Sequence, residues 1–359
     1  MKLIPDRPCP GSPTSAPSIG DQDGGDKLAT GAIPKLQLRN KSLGIGTWNV
    51  RTLNADGKLH QLQHELKNYT WDIIGISEAR LVGSGELTTD EGHKLYFSGH
   101  NKYHREGTAI LVNKSTASAV MEFLPISSRL ISLRISAKPF NITIMEVYAP
   151  TSESSDQDIE EFYETIALNI AKVPKQDILL IVGDLNAKIG VDAHKDWSGT
   201  VGKFGLGNTN DRGLRLLEFA KYYDLVIANT FQPQKLSRKA TWHSPDGKTH
   251  NLIDYIMISK RHMTSLNLAK TRTFPGADIG SDHDLVLTSL KSRLKRLPRK
   301  NQSKIKYDVQ KLEETSILSA FKAEIGGRFG PLINSDIDED ELIEQTTNHL
   351  KEAASLILG

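Results

Sequence analysis

Asp177-Ile178-Leu179-Leu180-Ile181-Val182-Gly183-Asp184-Leu185-Asn186 is the stretch on which the fold turns. An apolar run this short, made of Ile, Leu and Val, reads as a buried strand and not as a helix. Gly183 punctuates it. Asp184 and Asn186 then stand two residues apart at the strand end, on the same side of the chain. Working outward, strand patterning recurs at 43–48, 72–77, 107–112, 130–135, 141–147, 225–228, 240–242, 251–258 and 285–290. Helical periodicity is confined to 59–69, 158–173 and 214–223 before residue 300. Strands this frequent, several joined by short turns such as Lys138-Pro139, do not follow regular βαβα winding. They predict a mixed α/β protein of two packed sheets with helices outside.

The chain has 359 residues, 38% hydrophobic and 25% charged, a composition that suits a globular protein with a sizeable core. A net charge of +2 is too near neutral to argue for a polyanionic partner, so any such footprint must be local. The single cysteine, Cys9, has no disulfide partner, which fits a reducing compartment. The N-terminus lacks the apolar segment of a secretory signal, and no run of about 18 apolar residues occurs. A nuclear or cytoplasmic protein, not secreted and not in a membrane, is expected. Residues 1–41 hold six prolines and five glycines and are predicted to be a disordered tail. Residues 42–292 read as the folded domain, and residues 293–359 as a basic linker and helical extension. Lys291 to Lys306 contain eight Lys or Arg and no acid, ahead of helical patterns at 309–325 and 338–358. The basic stretch reads equally as a DNA-backbone contact, an import signal or a solvated linker.

Polar residues gather where apolar strands end, and such places are where sites are built. Asn49 follows the first strand, Glu78 closes the second, Tyr148 ends the strand at 141–147, and Asp184 and Asn186 end the run quoted above. Taken singly, Asn49 reads as a turn residue, Glu78 as a solvated acid and Tyr148 as a core tyrosine. Asp254 lies inside an apolar strand, where a buried carboxylate needs a partner such as a histidine ring. Asp282 and His283 precede the final strand. Together these residues suit one chemistry. Glu78 and Asp282 offer oxygens to a hard cation such as Mg²⁺. Asp184 can deprotonate or orient a water, and His283, held by Asp254, can act as an acid or stabilise phosphoryl charge. Phosphodiester hydrolysis needs these parts. No P-loop, CxxC or HExxH pattern points elsewhere.

The segments TWNV (47–50), SEAR (77–80), VYAP (147–150), GDLN (183–186), IDYI (253–256) and SDHD (281–284) occur in the order and spacing of the endonuclease/exonuclease/phosphatase superfamily, which residues 42–292 resemble. Further text, including GIGTWNVRTLN (44–54), TWHSPDG (241–247) and PGADIGSDHD (275–284), is similar to the endonucleases of RTE-clade non-LTR retrotransposons and the related craniofacial development protein 2 group. The resemblance implies a four-layer α/β sandwich of two packed mixed sheets flanked by helices (DNase I-like), with Mg²⁺ as cofactor and Mn²⁺ as the alternative. It implies metal contacts for Glu78, Asp282 and Asn49. It implies water activation by Asp184, water and phosphate orientation by Asn186, and phosphate contacts by Tyr148 and by His283 with its partner Asp254. It implies DNA, met through its backbone phosphates, as the partner, nicked to leave a 3′-hydroxyl. Arg51 stands where apurinic-site repair relatives carry an acid. The alternatives are a phosphoesterase acting on RNA or small phosphoesters, and a domesticated, non-enzymatic nucleic-acid or chromatin-associated protein.

Overall fold

The computed structural model describes residues 33–39, 41–292, 306–330 and 339–359, the side chains of the last segment from residue 341 on. Most of the tail expected at 1–41 and of the basic stretch lies outside the described residues. The chain divides into two compact units, residues 1–294 and 295–359.

The first unit is built on two sheets. One has seven strands in the order Arg272–Phe274, Leu285–Leu290, Leu43–Asn49, Ile73–Ser77, Thr108–Val112, Lys94–Ser98, Ser84–Thr88. The other has six, in the order Leu225–Ile227, Asp254–Ser259, Ile178–Asp184, Ile142–Tyr148, Leu130–Ile135, Val120–Ser127. Both are mixed: Leu43–Asn49 runs parallel to Ile73–Ser77 and Ile142–Tyr148 parallel to Ile178–Asp184, while the other pairs are antiparallel.

Period-two alternation sorts the apolar side chains into three layers. Ile45, Ile73 and Ile110 of the first sheet pack against Ile144, Leu180, Val182 and Ile256 of the second, forming the core between the sheets. The opposite faces are covered by helices. Leu62 and Leu66 of Lys58–Leu66 pack on Trp48, Ile74 and Ile76. Phe162 and Ile166 of Asp156–Ile170, with Leu217 of Asp211–Tyr222, pack on Met145, Leu179 and Ile181. The helix starts follow from local chemistry. Ser155 and Asp158 form a reciprocal capping box, and the Asn210 side chain accepts the Gly213 N–H. Helix, sheet, sheet and helix make the four-layer sandwich.

Patterning misses four strands of the two large sheets for physical reasons. Ser84–Thr88 is an edge strand with no buried residue. Val120–Ser127 is the opposite sheet's edge, carries Pro125 and is bulged at two places. Lys94–Ser98 and the three-residue Arg272–Phe274 each carry a charged residue that breaks the apolar signature. Leu36–Gln37, expected in the tail, pairs in parallel with Ala137–Lys138, and Leu38 beside it is buried.

In the second unit a 3₁₀ turn at Val309–Glu313 precedes helices Thr315–Phe329 and Glu339–Ile357. The Tyr307 hydroxyl donates to the Lys351 carbonyl. No described helix is long and apolar enough to cross a membrane.

One buried acid lies in the seam between the sheets. Glu146 is fully buried and accepts from Ser77 Oγ at 2.7 Å and Thr47 Oγ1 at 3.3 Å. A Cβ on Gly75 would lie 1.8 Å from Glu146 Oε2, so only glycine leaves the carboxyl room. Burial pushes this carboxyl well above the usual carboxylate range. A raised folded value means the unfolded chain releases this proton first. Stability therefore falls as pH rises through and above the ordinary glutamate value of 4.5. Urea melts from pH 5 to pH 8 are expected to show that decline in the wild type and a flatter profile in Glu146→Gln. The variant should be more stable at pH 8 by on the order of 1 kcal/mol. A less stable variant with an unchanged pH profile would show that the site is held by an ionised carboxylate.

Candidate active site

The alternation that builds the inter-sheet core also aims its polar end. Ile45, Ile73, Ile144, Val182 and Ile256 face the seam. By the same parity, so do Asn49, Ser77, Glu146, Tyr148, Asp184 and Asp254 at the strand ends. Register then sets neighbours: Asn49 beside Ser77, Tyr148 beside Asp184, and Asp184 directly opposite Asp254.

Side-chain hydrogen bonds knit these positions together. Asn49 Nδ2 donates to Glu78 Oε1 at 2.9 Å and to Asp184 Oδ2 at 3.0 Å, so one amide spans two carboxylates. Asn186 N–H donates to Asp184 Oδ1 at 3.0 Å, and Asn186 Nδ2 to the Ala149 carbonyl at 3.0 Å. His283 Nδ1 lies 3.0 Å from Asp254 Oδ2, while its Nε2 is 3.9 Å from Asp184 Oδ2. Asp282 accepts from Trp242 Nε1 at 3.0 Å. Glu78 and Asn186 adopt φ of 53° and 46°, a left-handed conformation that non-glycine residues keep only when their surroundings insist.

Of the expected residues, Glu78, Tyr148, Asp184, Asn186, Asp282 and His283 line one cleft of about 500 Å³. Asn49 and Asp254 are fully buried and stand behind it, each bonded to a residue that reaches the cleft. The carboxylates of Glu78, Asp184 and Asp282 offer this cleft the oxygens that suit a hard divalent cation. Among the described residues, ligand atoms of Asp184, Asp254 and His283 also come within 4.8 Å of one another, a set able to hold a metal ion.

Burial, reinforced by the charge of Asp254, pushes the Asp184 carboxyl up to about 7. Burial alone would lower His283, but the charge and hydrogen bond of Asp254, with Asp184 and Asp282 behind it, hold it at about 9. Burial also raises the Tyr148 phenol, helped by the charges of Glu78 and Asp184, so it stays a neutral donor.

Several contributors escape sequence reasoning. Ser77 Oγ accepts the Asp184 N–H, and Thr241 Oγ1 accepts the N–H groups of Ile253 and Asp254. Arg129 lies over the Tyr148 ring at 5.0 Å and bonds Glu106. Nothing local marks these residues. Glu146 had a usable signal, an acid inside an apolar strand, the same one that marks Asp254.

Residues 46–283 match the model of the Endonuclease/Exonuclease/phosphatase family. Craniofacial development protein 2 of Bos taurus is 41% identical over 270 residues, covering 75% of this chain and 44% of that protein. Its counterpart in Tragulus javanicus is 42% identical over 265 residues, covering 74% and 45%. The chain thus spans less than half the length of these curated relatives. Among solved structures, the endonuclease domain of TRAS1, a telomere-specific non-LTR retrotransposon, superposes with a TM-score of 0.51 at 16% identity, covering 70% of this chain and 99% of that one. The AP endonuclease LMAP from Leishmania major gives 0.53 at 15% identity, covering 71% and 89%. At these identities the two structures speak for the fold.

In the metal-free protein, nitrogen-detected NMR is expected to find the His283 imidazole titrating well above the ordinary 6.5, near 9. Asp254→Asn removes the charge and hydrogen bond that do most to hold it up and should lower it, because burial is then opposed only by the charges of Asp184 and Asp282. A wild-type imidazole already neutral at pH 7 would contradict the geometry.

Proposed function

The chain belongs to the endonuclease/exonuclease/phosphatase family, and from that premise we propose that it is a Mg²⁺-dependent phosphodiesterase that nicks DNA, leaves a 3′-hydroxyl, and derives from a non-LTR retrotransposon. The observation that carries this reading is the convergence of three acids and a histidine in one cleft: Glu78, Asp184, Asp282 and His283. The retrotransposon endonuclease domain among the similar folds, and the motifs shared with such elements, support DNA as the substrate.

Glu78 and Asp282 would hold the cation, with Asn49 fixing Glu78 from behind. When bound, the cation supplies charge neutralisation on the non-bridging phosphate oxygens. Asp184, with a carboxyl near neutrality, takes the proton of the attacking water. The Asn186 N–H on Asp184 Oδ1 and the Asn49 amide on Oδ2 fix the orientation of that carboxyl toward the cleft. His283, kept protonated by Asp254, places a positive donor against the phosphate as charge develops. Tyr148 offers a neutral hydroxyl to the same oxygens. Water attacks phosphorus, the bond to the 3′ oxygen breaks, and the phosphate remains on the 5′ side.

Nicking of supercoiled plasmid by the purified full chain tests this. Nicking is expected in Mg²⁺, absent in EDTA, and reduced about 10²- to 10⁴-fold in Glu78→Ala and Asp184→Ala. The nicks should be extended by a DNA polymerase without prior phosphatase treatment. A folded protein that hydrolyses a soluble phosphoester but leaves plasmid intact would move the substrate away from DNA. One that does neither would favour a binding role.

A further inference from the structure

The cleft carries charges of both signs. Glu78, Asp184 and Asp282 share it with Arg51, Arg80 and Lys188. The two arginines are not spread at random. Arg80 Nη2 lies 2.6 Å from Glu78 Oε2, and Arg51 Nε lies 3.6 Å from Asp282 Oδ1. Each carboxylate assigned to the cation side therefore has its own guanidinium. The second oxygens are also taken, Glu78 Oε1 by Asn49 and Asp282 Oδ2 by Trp242.

The backbone beneath these arginines is built for the purpose. Arg51 and Arg80 have φ of 61° and 52°. The Arg51 N–H is pinned to Asn49 Oδ1, and the Arg80 N–H to the Glu106 carbonyl. Side chains this size adopt the left-handed region only where the surroundings over-determine it, and such places cluster at functional sites. The backbone of each turn is held by a hydrogen bond while the arginine side chains stay accessible, 58% and 42% exposed. The guanidinium side of each pair is open to solvent although the carboxylates are only 17% and 28% exposed, so each arginine can leave its partner without being desolvated.

We propose that Arg80 and Arg51 are exchangeable counterions: each guanidinium holds a cation-side carboxylate, gives it up to a divalent cation, and turns to the phosphates flanking the scissile one. A guanidinium and a divalent cation compete for the same carboxylate oxygens. A nucleic-acid strand offers the displaced fork the phosphate oxygens it recognises best. A small phosphoester has no flanking phosphates, so the same pair would favour polymers over single phosphate groups. The inference rests on the DNA-nicking reading for its second half, and on the ion pairs alone for its first.

The test uses the full chain and Mn²⁺ without DNA, read by calorimetry. Arg80→Ala is expected to bind Mn²⁺ about three- to fivefold more tightly than wild type, because a competitor is gone. Arg51→Ala should move the same way by less, since its pair is longer, and Arg80→Lys should stay near wild type. Binding of a duplex with a non-hydrolysable phosphorothioate link, in Mn²⁺, should lose about 0.9 from its log–log salt slope for each arginine removed. Weaker Mn²⁺ binding in Arg80→Ala, or an unchanged salt slope, would make the arginine a brace for Glu78 and overturn the proposal. Wild-type nicking is scored separately. A protein that nicks but shows no tightening sinks this inference alone. One that tightens but neither binds nor nicks DNA keeps the competition and sinks the nuclease reading.

Discussion

Asp184 and Asp254 stand opposite each other in one antiparallel register, both buried, and two carboxylates so placed repel. Much of the site can be understood as the answer to that repulsion. His283 comes in from the other sheet's chain segment, bonds Asp254 and turns its second nitrogen toward Asp184. Asn49, also from the other sheet, donates to Asp184 while holding Glu78. The sheets are therefore joined at this end by charge and hydrogen bonds, and along the rest of their length by Ile, Leu and Val. The candidate site and the closure of the sandwich are one set of contacts.

Glu146 extends this logic inward. It occupies the last inner-facing position before Tyr148, between Ser77 and Thr47, opposite a glycine that makes space for it. Ser77 connects it to the backbone of Asp184. The transition from apolar seam to polar cleft is thus graded, passing through a fully buried carboxyl that burial pushes upward before reaching the acids at the strand ends.

How much of this was legible in the sequence depended on how far each signal reached. Inner strands such as Ile178–Asp184 are buried on both faces, so they announce themselves as unbroken apolar runs. Edge strands such as Ser84–Thr88 bury little and leave no such trace. Asp254 was conspicuous as an acid in an apolar strand, and pairing it with a histidine followed from the cost of burying it. That Asn49 would lie behind the cleft and bridge two acids could not be read, because the bridge depends on the distance between two sheets. Arg129 and Trp242 act through long-range contacts of the same kind. Leu36–Gln37 was misjudged because the prolines and glycines around it outweigh two residues of strand.

That short strand also bears on how the domain is joined to other chain. Leu36 N–H reaches the Ser136 carbonyl, and the Leu38 carbonyl accepts the N–H of Ser292, just past the final strand of the seven-stranded sheet. The polypeptide thus arrives and departs side by side. A domain whose two ends are stitched together can be spliced into a longer polypeptide like a loop, with little demand on what lies to either side.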